Sequence, residues 1–327
     1  MIRAFRSPKH WNLELETWNA AMGFFSRLFG FDRNAGRGLD DLAARLKLSV
    51  EQLSAVEPRY REFSIPKRAG GQRRILAPEP ELKALQRRIH RRLLARLPVH
   101  PAATGFRRGE SIVTHARRHA GQAAVIRLDL RDFFPSTSAK RVEQYFRAIG
   151  WNRQAAALLV KLCTVDGGLP QGAPTSPVLS NLLNYRLDAC IAAYAKRVNV
   201  IYSRYADDMT FSYSDDDAAA AGKARALTYF AWRIAAEEGY RLHRKKSSVR
   251  RRHQRQLVTG LVVNARVNLP RETRRWLRAV EHRASQPPRL IGSIGKSAPP
   301  PLKQPTLSPS QLEGWRALKA MVERQDQ

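Results

Sequence analysis

The sequence predicts a mixed core, α/β or α+β, wrapped by helices. Three observations carry that expectation. Short apolar runs that read as strands interleave with segments of helical spacing, one such run ends in a carboxylate, and another folds back on itself around an Asp-Asp pair.

In chain order, residues 1–55 read as a helical extension. Trp11–Phe29 mixes aromatic and aliphatic residues, and Leu39, Leu42, Leu46 and Leu53 fall at near-helical intervals. Ser49 followed by Gln52 makes a capping box for a short second helix. Glu62–Ile65 and Arg73–Leu76 read as paired strands turned at Gly70-Gly71. Leu82, Leu85, Ile89, Leu93 and Leu97 mark the buried face of a helix with a basic flank. Ala123–Leu130 (AAVIRLDL) is a buried strand. Arg141–Ile149 and Gln154–Leu162 are helices, and Pro177–Arg197 is one long helix after a Gly/Pro-rich loop. Val200–Tyr213 is a hairpin, Ala218–Gly239 an Ala-rich helix, Gln256–Asn264 a strand and Leu312–Val322 a closing helix. Residues 284–310, rich in Pro, Ser and Gly, read as a loop or insertion.

The chain has 327 residues, 58 Lys+Arg against 28 Asp+Glu, and a net charge of +30. Its 43% hydrophobic content is ordinary for a folding sequence, so the charge is an addition to a core and no sign of disorder. A surface this basic attracts a polyanion, of which nucleic acid is the commonest. Cys163 and Cys190 exclude a disulfide scaffold and a Cys-rich zinc site and read as buried thiols. No apolar run approaches the roughly 20 residues of a membrane helix. With no signal-peptide pattern, the expectation is a cytoplasmic protein that meets no membrane.

The chemistry is concentrated at Tyr205-Ala-Asp-Asp208. Adjacent carboxylates at the tip of an apolar hairpin repel each other unless something neutralises them, and a rigid pair suits hard Mg²⁺. Asp129, at the end of the AAVIRLDL strand, supplies one more. If that strand lies beside the hairpin, Asp129 and Asp207 can share two Mg²⁺ ions with Asp208 close by, the arrangement for in-line phosphoryl displacement. The third element is Gly168-Leu-Pro-Gln-Gly-Ala-Pro-Thr-Ser-Pro177, a stiff loop before a helix that presents Gln171.

With these blocks the chain resembles the reverse transcriptases, and among them the bacterial retron type. The motifs, in family order, begin with Phe63–Ile75, Gly105–Ile112 and Arg127–Phe134. Leu169–Pro177, Tyr205–Asp208, Gly239–Ser247 and Val258-Thr-Gly260 follow. The likeness covers about residues 39–270 and recurs near 305–322. It implies an α+β right-hand polymerase whose palm is an antiparallel sheet backed by helices. The fingers would occupy 56–122 with part of 135–170, the palm 123–270, and a thumb or RNA-binding helices 271–327. It names Asp129, Asp207 and Asp208 as catalytic carboxylates and metal ligands for two Mg²⁺, with Mn²⁺ as a substitute. Lys67 and Arg73 would hold the nucleotide triphosphate, Phe134 would exclude a 2′-hydroxyl, Gln171 would line the pocket, and Lys246 would approach the phosphates.

Val258-Thr-Gly260 matches a retron tripeptide, and His115-Ala-Arg-Arg-His119 matches the retron Asn-Ala-x-x-His block with His in place of Asn. The resemblance implies a cognate structured non-coding RNA, its branched DNA copy, dNTPs and a separate effector protein in an antiphage system. Expected RNA contacts are His115, His119, Arg250, Arg251, Arg252, Thr259 and Gly260, with basic runs at Arg87–Arg96, Arg107–Arg108, Arg241–Arg255 and Arg271–Arg278. A group II intron-like enzyme and an idle RNA-binding scaffold are the alternatives.

Overall fold

The computed structural model describes residues 36–67, 70–214, 220–285 and 308–324. The expected helix at Trp11–Phe29 and nearly all of the 284–310 insertion lie outside the described residues. At the N-terminal end α1 (Leu39–Leu46) and α2 (Val50–Ala55) follow each other, and the Ser49–Gln52 capping box forms with bonds of 3.0 and 3.1 Å. Leu42, Leu46 and Leu53 enter one core with Leu82, Ile89, Phe146, Leu159 and Leu179, so this stretch belongs to the body of the molecule.

Strands β1 (Tyr60–Pro66) and β2 (Gln72–Pro78) form an antiparallel pair, closed by Gly70 and Gly71 at φ 85° and 81°. Leu82 to Leu97 is not one α-helix: α3 (Pro80–Ile89) passes into a π-turn over His90–Leu94. The central sheet has the order β4-β5-β3-β6, all antiparallel, from β3 (Ala124–Asp129), β4 (Ile201–Tyr205), β5 (Asp208–Tyr213) and β6 (Ser248–Arg251). Strand alternation divides its two faces. Ile126, Leu128, Met209, Phe211 and Tyr213 face a core built with the later helices, where Leu187, Ile191, Leu227 and Ile234 meet them. The opposite face carries Val125 and, among the buried polar residues, Ser203, Thr210 and Ser212. The antiparallel sheet backed by helices is the expected α+β palm.

Several elements depart from the sequence reading. Pro177–Arg197 is two helices, α8 (Ser176–Leu183) and α9 (Tyr185–Arg197), because Asn184 leaves helical geometry at the junction. Its amide donates to Ser180 O at 2.8 Å and Tyr240 Oη at 3.0 Å, and its Oδ1 accepts from Arg141. Gln256–Asn264 is not one strand. Two-residue strands β7 (Leu257–Val258) and β8 (Leu261–Val262) turn at Thr259 and Gly260, both at positive φ. The basic run after Arg241 hides β6. After the short helices α4 (Ile112–Arg117) and α5 (Phe133–Ser136), Arg141–Ile149, Gln154–Leu162 and Ala218–Gly239 appear as α6 (Ala139–Ala148), α7 (Arg153–Cys163) and α10 (Ala220–Glu237). The chain ends with α11 (Arg271–Ala284) and α12 (Pro309–Glu323), packed through Trp276 and Trp315 with ring centroids 5.4 Å apart. Cys163 is buried, while Cys190 is only half-buried. Among the described residues no helix is long and apolar enough to cross a membrane.

Candidate active site

The sheet brings the three aspartates to one end. Asp129, last in β3, is the register partner of Asp208, first in β5, and Asp207 is the residue before it. Leu130 N–H donates to Asp207 O at 2.9 Å, locking the end of β3 to the turn. Ala206 holds φ 57°, a left-handed conformation that a side chain resists. Arg204 steadies that turn: its guanidinium donates to Ala206 O at 2.9 Å and pairs with Asp188 at 2.6 and 2.8 Å. Both members of this pair are fully buried, and Tyr202 Oη donates to the same carboxylate at 2.8 Å. Gly105 runs against the turn so closely that a Cβ would lie 2.7 Å from Ala206 N.

Each outer carboxylate faces a cation. Arg127, two residues before Asp129, closes on Asp208 through Nε, 3.1 Å from Oδ2, and through Nη2. Lys246 reaches both Asp129 oxygens at 3.1 Å. It is delivered by a turn in which Lys246 N–H donates to His243 O, while His243 N–H donates to Asp129 O at 2.7 Å. Burial, and then the charge of Asp129, pushes the Asp207 carboxyl above its ordinary range. Burial raises Asp208 too, against the pull of Arg127. Arg127 is raised although burial opposes its charge, because Asp208, Asp129 and Asp207 surround it.

These donors fit a hard divalent cation in chemistry: oxygen ligands only, mutually repelling, on a rigid turn. With Asp208 turned to Arg127 and Asp129 to Lys246, no three His, Cys, Asp or Glu side chains among the described residues stand as a ready metal cage.

Of the expected nucleotide contacts, Phe134 is half-buried near the turn. Its ring lies 6.1 Å from Phe106, which lies 6.2 Å from Tyr205. Phe106, half exposed, stands between Phe134 and Tyr205, and the sequence reading left it without a role. Gln171 is half-buried, and its carbonyl accepts from Leu76 N–H at 2.9 Å, which joins its loop to the root of the β1–β2 hairpin. Lys67 and Arg73 are exposed towards the tip of that hairpin.

Two expected RNA contacts are corrected. His115 and His119 are both fully buried and cannot touch RNA. His119 places Nδ1 2.7 Å from Ser212 Oγ and Nε2 2.7 Å from Ser203 Oγ. His115 Nδ1 is 2.7 Å from Thr104 Oγ1. Burial pushes His115 down to about 3 and His119 well below the ordinary histidine range. Thr259 spends its hydroxyl on Ile112 O at 3.0 Å, whereas Gly260, Arg250 and Arg252 are exposed and Arg251 is half-buried. Within the basic runs, Arg88 is committed to the carbonyls of Leu46 and Lys47. The sequence reading missed Arg127, Asp188 and Arg204, whose partners lie 81 and 16 residues from them in sequence.

The family described as reverse transcriptase (RNA-dependent DNA polymerase) matches residues 65–277. The chain is 42% identical over 273 residues to the retron Mx65 reverse transcriptase of Myxococcus xanthus, covering 76% of this chain and 63% of that one. It is 39% identical to the retron Mx162 reverse transcriptase of the same organism, covering 74% and 57%. It is 36% identical to the retron Ec86 reverse transcriptase of Escherichia coli, covering 76% and 80%. The match therefore spans somewhat under two thirds of both Myxococcus relatives.

Proposed function

The chain belongs to the reverse transcriptase family, on its retron branch, and from that premise we propose that it is an RNA-directed DNA polymerase copying part of a cognate structured RNA into branched single-stranded DNA. One observation carries the reading: the pairing of Asp129 with Asp208 beside Asp207, which gathers three carboxylates at one sheet end of a chain charged +30.

In this reading residues 123–270 are the palm, 56–122 with part of 135–170 the fingers, and 271–327 the thumb. Within the extension 1–55, α1 and α2 brace the fingers by packing Leu42, Leu46 and Leu53 with Leu82 and Ile89. Asp129 and Asp207, with Asp208 beside them, would hold two Mg²⁺ ions. When bound, these supply charge stabilisation to the attacking and leaving oxygens of phosphoryl transfer. Lys67 and Arg73 hold the triphosphate of an incoming dNTP from the hairpin tip. Lys246 exchanges Asp129 for nucleotide phosphates. Phe134 and Phe106 wall the sugar, and Gln171 lines the pocket. Exposed Arg250, Arg252 and Gly260 belong to the RNA-facing surface, where A-form helices are met through phosphates and shape. A separate effector protein, a role in phage defence and a cytoplasmic setting complete the proposal.

The test is to express the gene with its flanking DNA, extract small nucleic acids, and treat them with ribonuclease and debranching enzyme. A short DNA that shifts on treatment and vanishes in an Asp207→Asn/Asp208→Asn double variant is the expected result. Activity only on an ordinary primed template would keep the polymerase and remove the retron product. RNA binding with no synthesis on either would leave an RNA scaffold.

A further inference from the structure

The two buried histidines stand directly behind the carboxylate turn. Strand β4 alternates Tyr202 and Arg204 towards the helix-backed face with Ser203 and Tyr205 towards the other, and β5 does the same with Thr210 and Ser212. His119, just past α4 (Ile112–Arg117), lies on that second face and reaches both strands, Ser212 from Nδ1 and Ser203 from Nε2, each at 2.7 Å. Ser203 pairs in register with Thr210, and Ser212 with Ile201, so the ring spans the hairpin on a diagonal. His115, one helical turn earlier, is 3.2 Å from the same Ser203 Oγ and sets its ring 5.6 Å from Tyr205, the first residue of the turn.

Thr104 Oγ1 donates to Arg204 O at 3.0 Å and lies 2.7 Å from His115 Nδ1. A neutral imidazole has one donor and one acceptor nitrogen, so His119 donates to one serine and accepts from the other. Polar contacts thus run from Thr104 to His115 Nδ1, from the same nitrogen to Ser203 on β4, and through His119 to Ser212 on β5. The apolar core clamps the opposite face through Met209 and Phe211. The backbone ladders set the register of β5 against β3 and β4, and the His119 bridge adds a side-chain tie between the two strands that carry the turn.

We infer that His119 is a positioning residue: a cross-strand bolt between β4 and β5 that stiffens the hairpin carrying the Tyr205–Asp208 turn. The inference rests on the polymerase reading above, and its test separates the two. Synthesis on a primed RNA template is measured with Mg²⁺ and dNTP titrations for the full chain, His119→Ala, His119→Gln and Ser212→Ala, with RNA affinity recorded for each. The wild-type chain comes first: no synthesis by it removes the polymerase reading. Given wild-type activity, His119→Ala lowers kcat about ten- to a hundredfold and raises half-saturating Mg²⁺ about tenfold. The KM for dNTP and the RNA affinity stay within about twofold of wild type, since neither surface is touched. His119→Gln, whose amide donates and accepts as the ring does, recovers most of both losses. A plain loss of folded protein would instead lower the apparent kcat alone and leave the Mg²⁺ midpoint in place. If His119→Ala does not fold, Ser212→Ala decides, removing one bond at almost no change in volume. A shifted Mg²⁺ midpoint in it upholds the bolt, and an unshifted one overturns it.

Discussion

Arg127 and Asp208 face each other across adjacent strands, the guanidinium closing on the carboxylate through two nitrogens. The pair sits on the same sheet end as Asp129, so one of the three carboxylates is already neutralised by the protein. Asp208 is raised by burial, with Arg127 opposing the rise. Arg127→Gln removes that opposition, so the Asp208 carboxyl titrates higher still. The acid limb of the pH–rate profile should therefore move to higher pH, which rate measurements from pH 5 to 9 check. An unmoved limb would take Asp208 out of the group whose ionisation the reaction needs.

Asp207 carries its charge against burial and against Asp129. Its folded value lies above the unfolded one, so its ionised form destabilises the fold once pH rises past the unfolded carboxylate range. Asp207→Asn should abolish synthesis, leave RNA affinity within about twofold, and raise unfolding free energy near pH 7 by about 1 kcal/mol. Denaturant melts beside primer-extension assays read all three. A destabilised variant would mean that the carboxylate has a structural partner.

Asp188 and Arg204 form a fully buried pair whose arginine also holds the carbonyl of Ala206. Asp188→Ala strands that guanidinium in the core, and the expected loss is about 3–5 kcal/mol, read from the urea midpoint at constant slope. A loss under about 1 kcal/mol would show that water reaches Arg204.

His115 is neutral when folded and ordinary when unfolded, its folded value being pushed down to about 3. As pH falls below the unfolded histidine range, the unfolded chain binds the proton first, so stability drops towards pH 3. At pH 5 the loss from this residue is about 2 kcal/mol. Urea midpoints at pH 7 and pH 5 for wild type and His115→Asn measure it, and the variant should lose less on acidification.

Phe134 packs against both the sheet core and the helical core that holds α1 and α2. Phe134→Ala should admit ribonucleotides about tenfold more readily and destabilise the fold by about 2 kcal/mol. Competition between labelled rNTP and dNTP on one template checks the first, and unchanged discrimination would remove Phe134 from the sugar pocket.

The active-site frame was legible in the sequence because its signals are local. Val200–Tyr213 alternates around Asp207 and Asp208, and AAVIRLDL carries Asp129 next to its end; neighbours in sequence suffice to read both. What was not legible depends on partners far along the chain. His115 and His119 looked like solvent-facing bases because Ser203 and Ser212, which bury them, lie 84 to 93 residues away. Arg250 to Arg252 masked a sheet edge, since β6 draws its order from β3 and carries little apolar pattern of its own. Asn184 breaks a helix for Tyr240, 56 residues later.

The hairpin of β1 and β2 is a cantilever. Leu76 fixes its root to Gln171, and Arg74 makes the outermost tie that the described residues show, to Asp166 at 2.9 Å. Pro66 and Gln72 lie two pairings beyond that tie, and Gly70 and Gly71 have open space around them. A small rotation at Asp166 is therefore magnified at Lys67 and Arg73, both of which are sites where trypsin cuts. Limited digestion becomes a gauge of occupancy: whatever holds those two cations down slows the first nick, with no synthesis required.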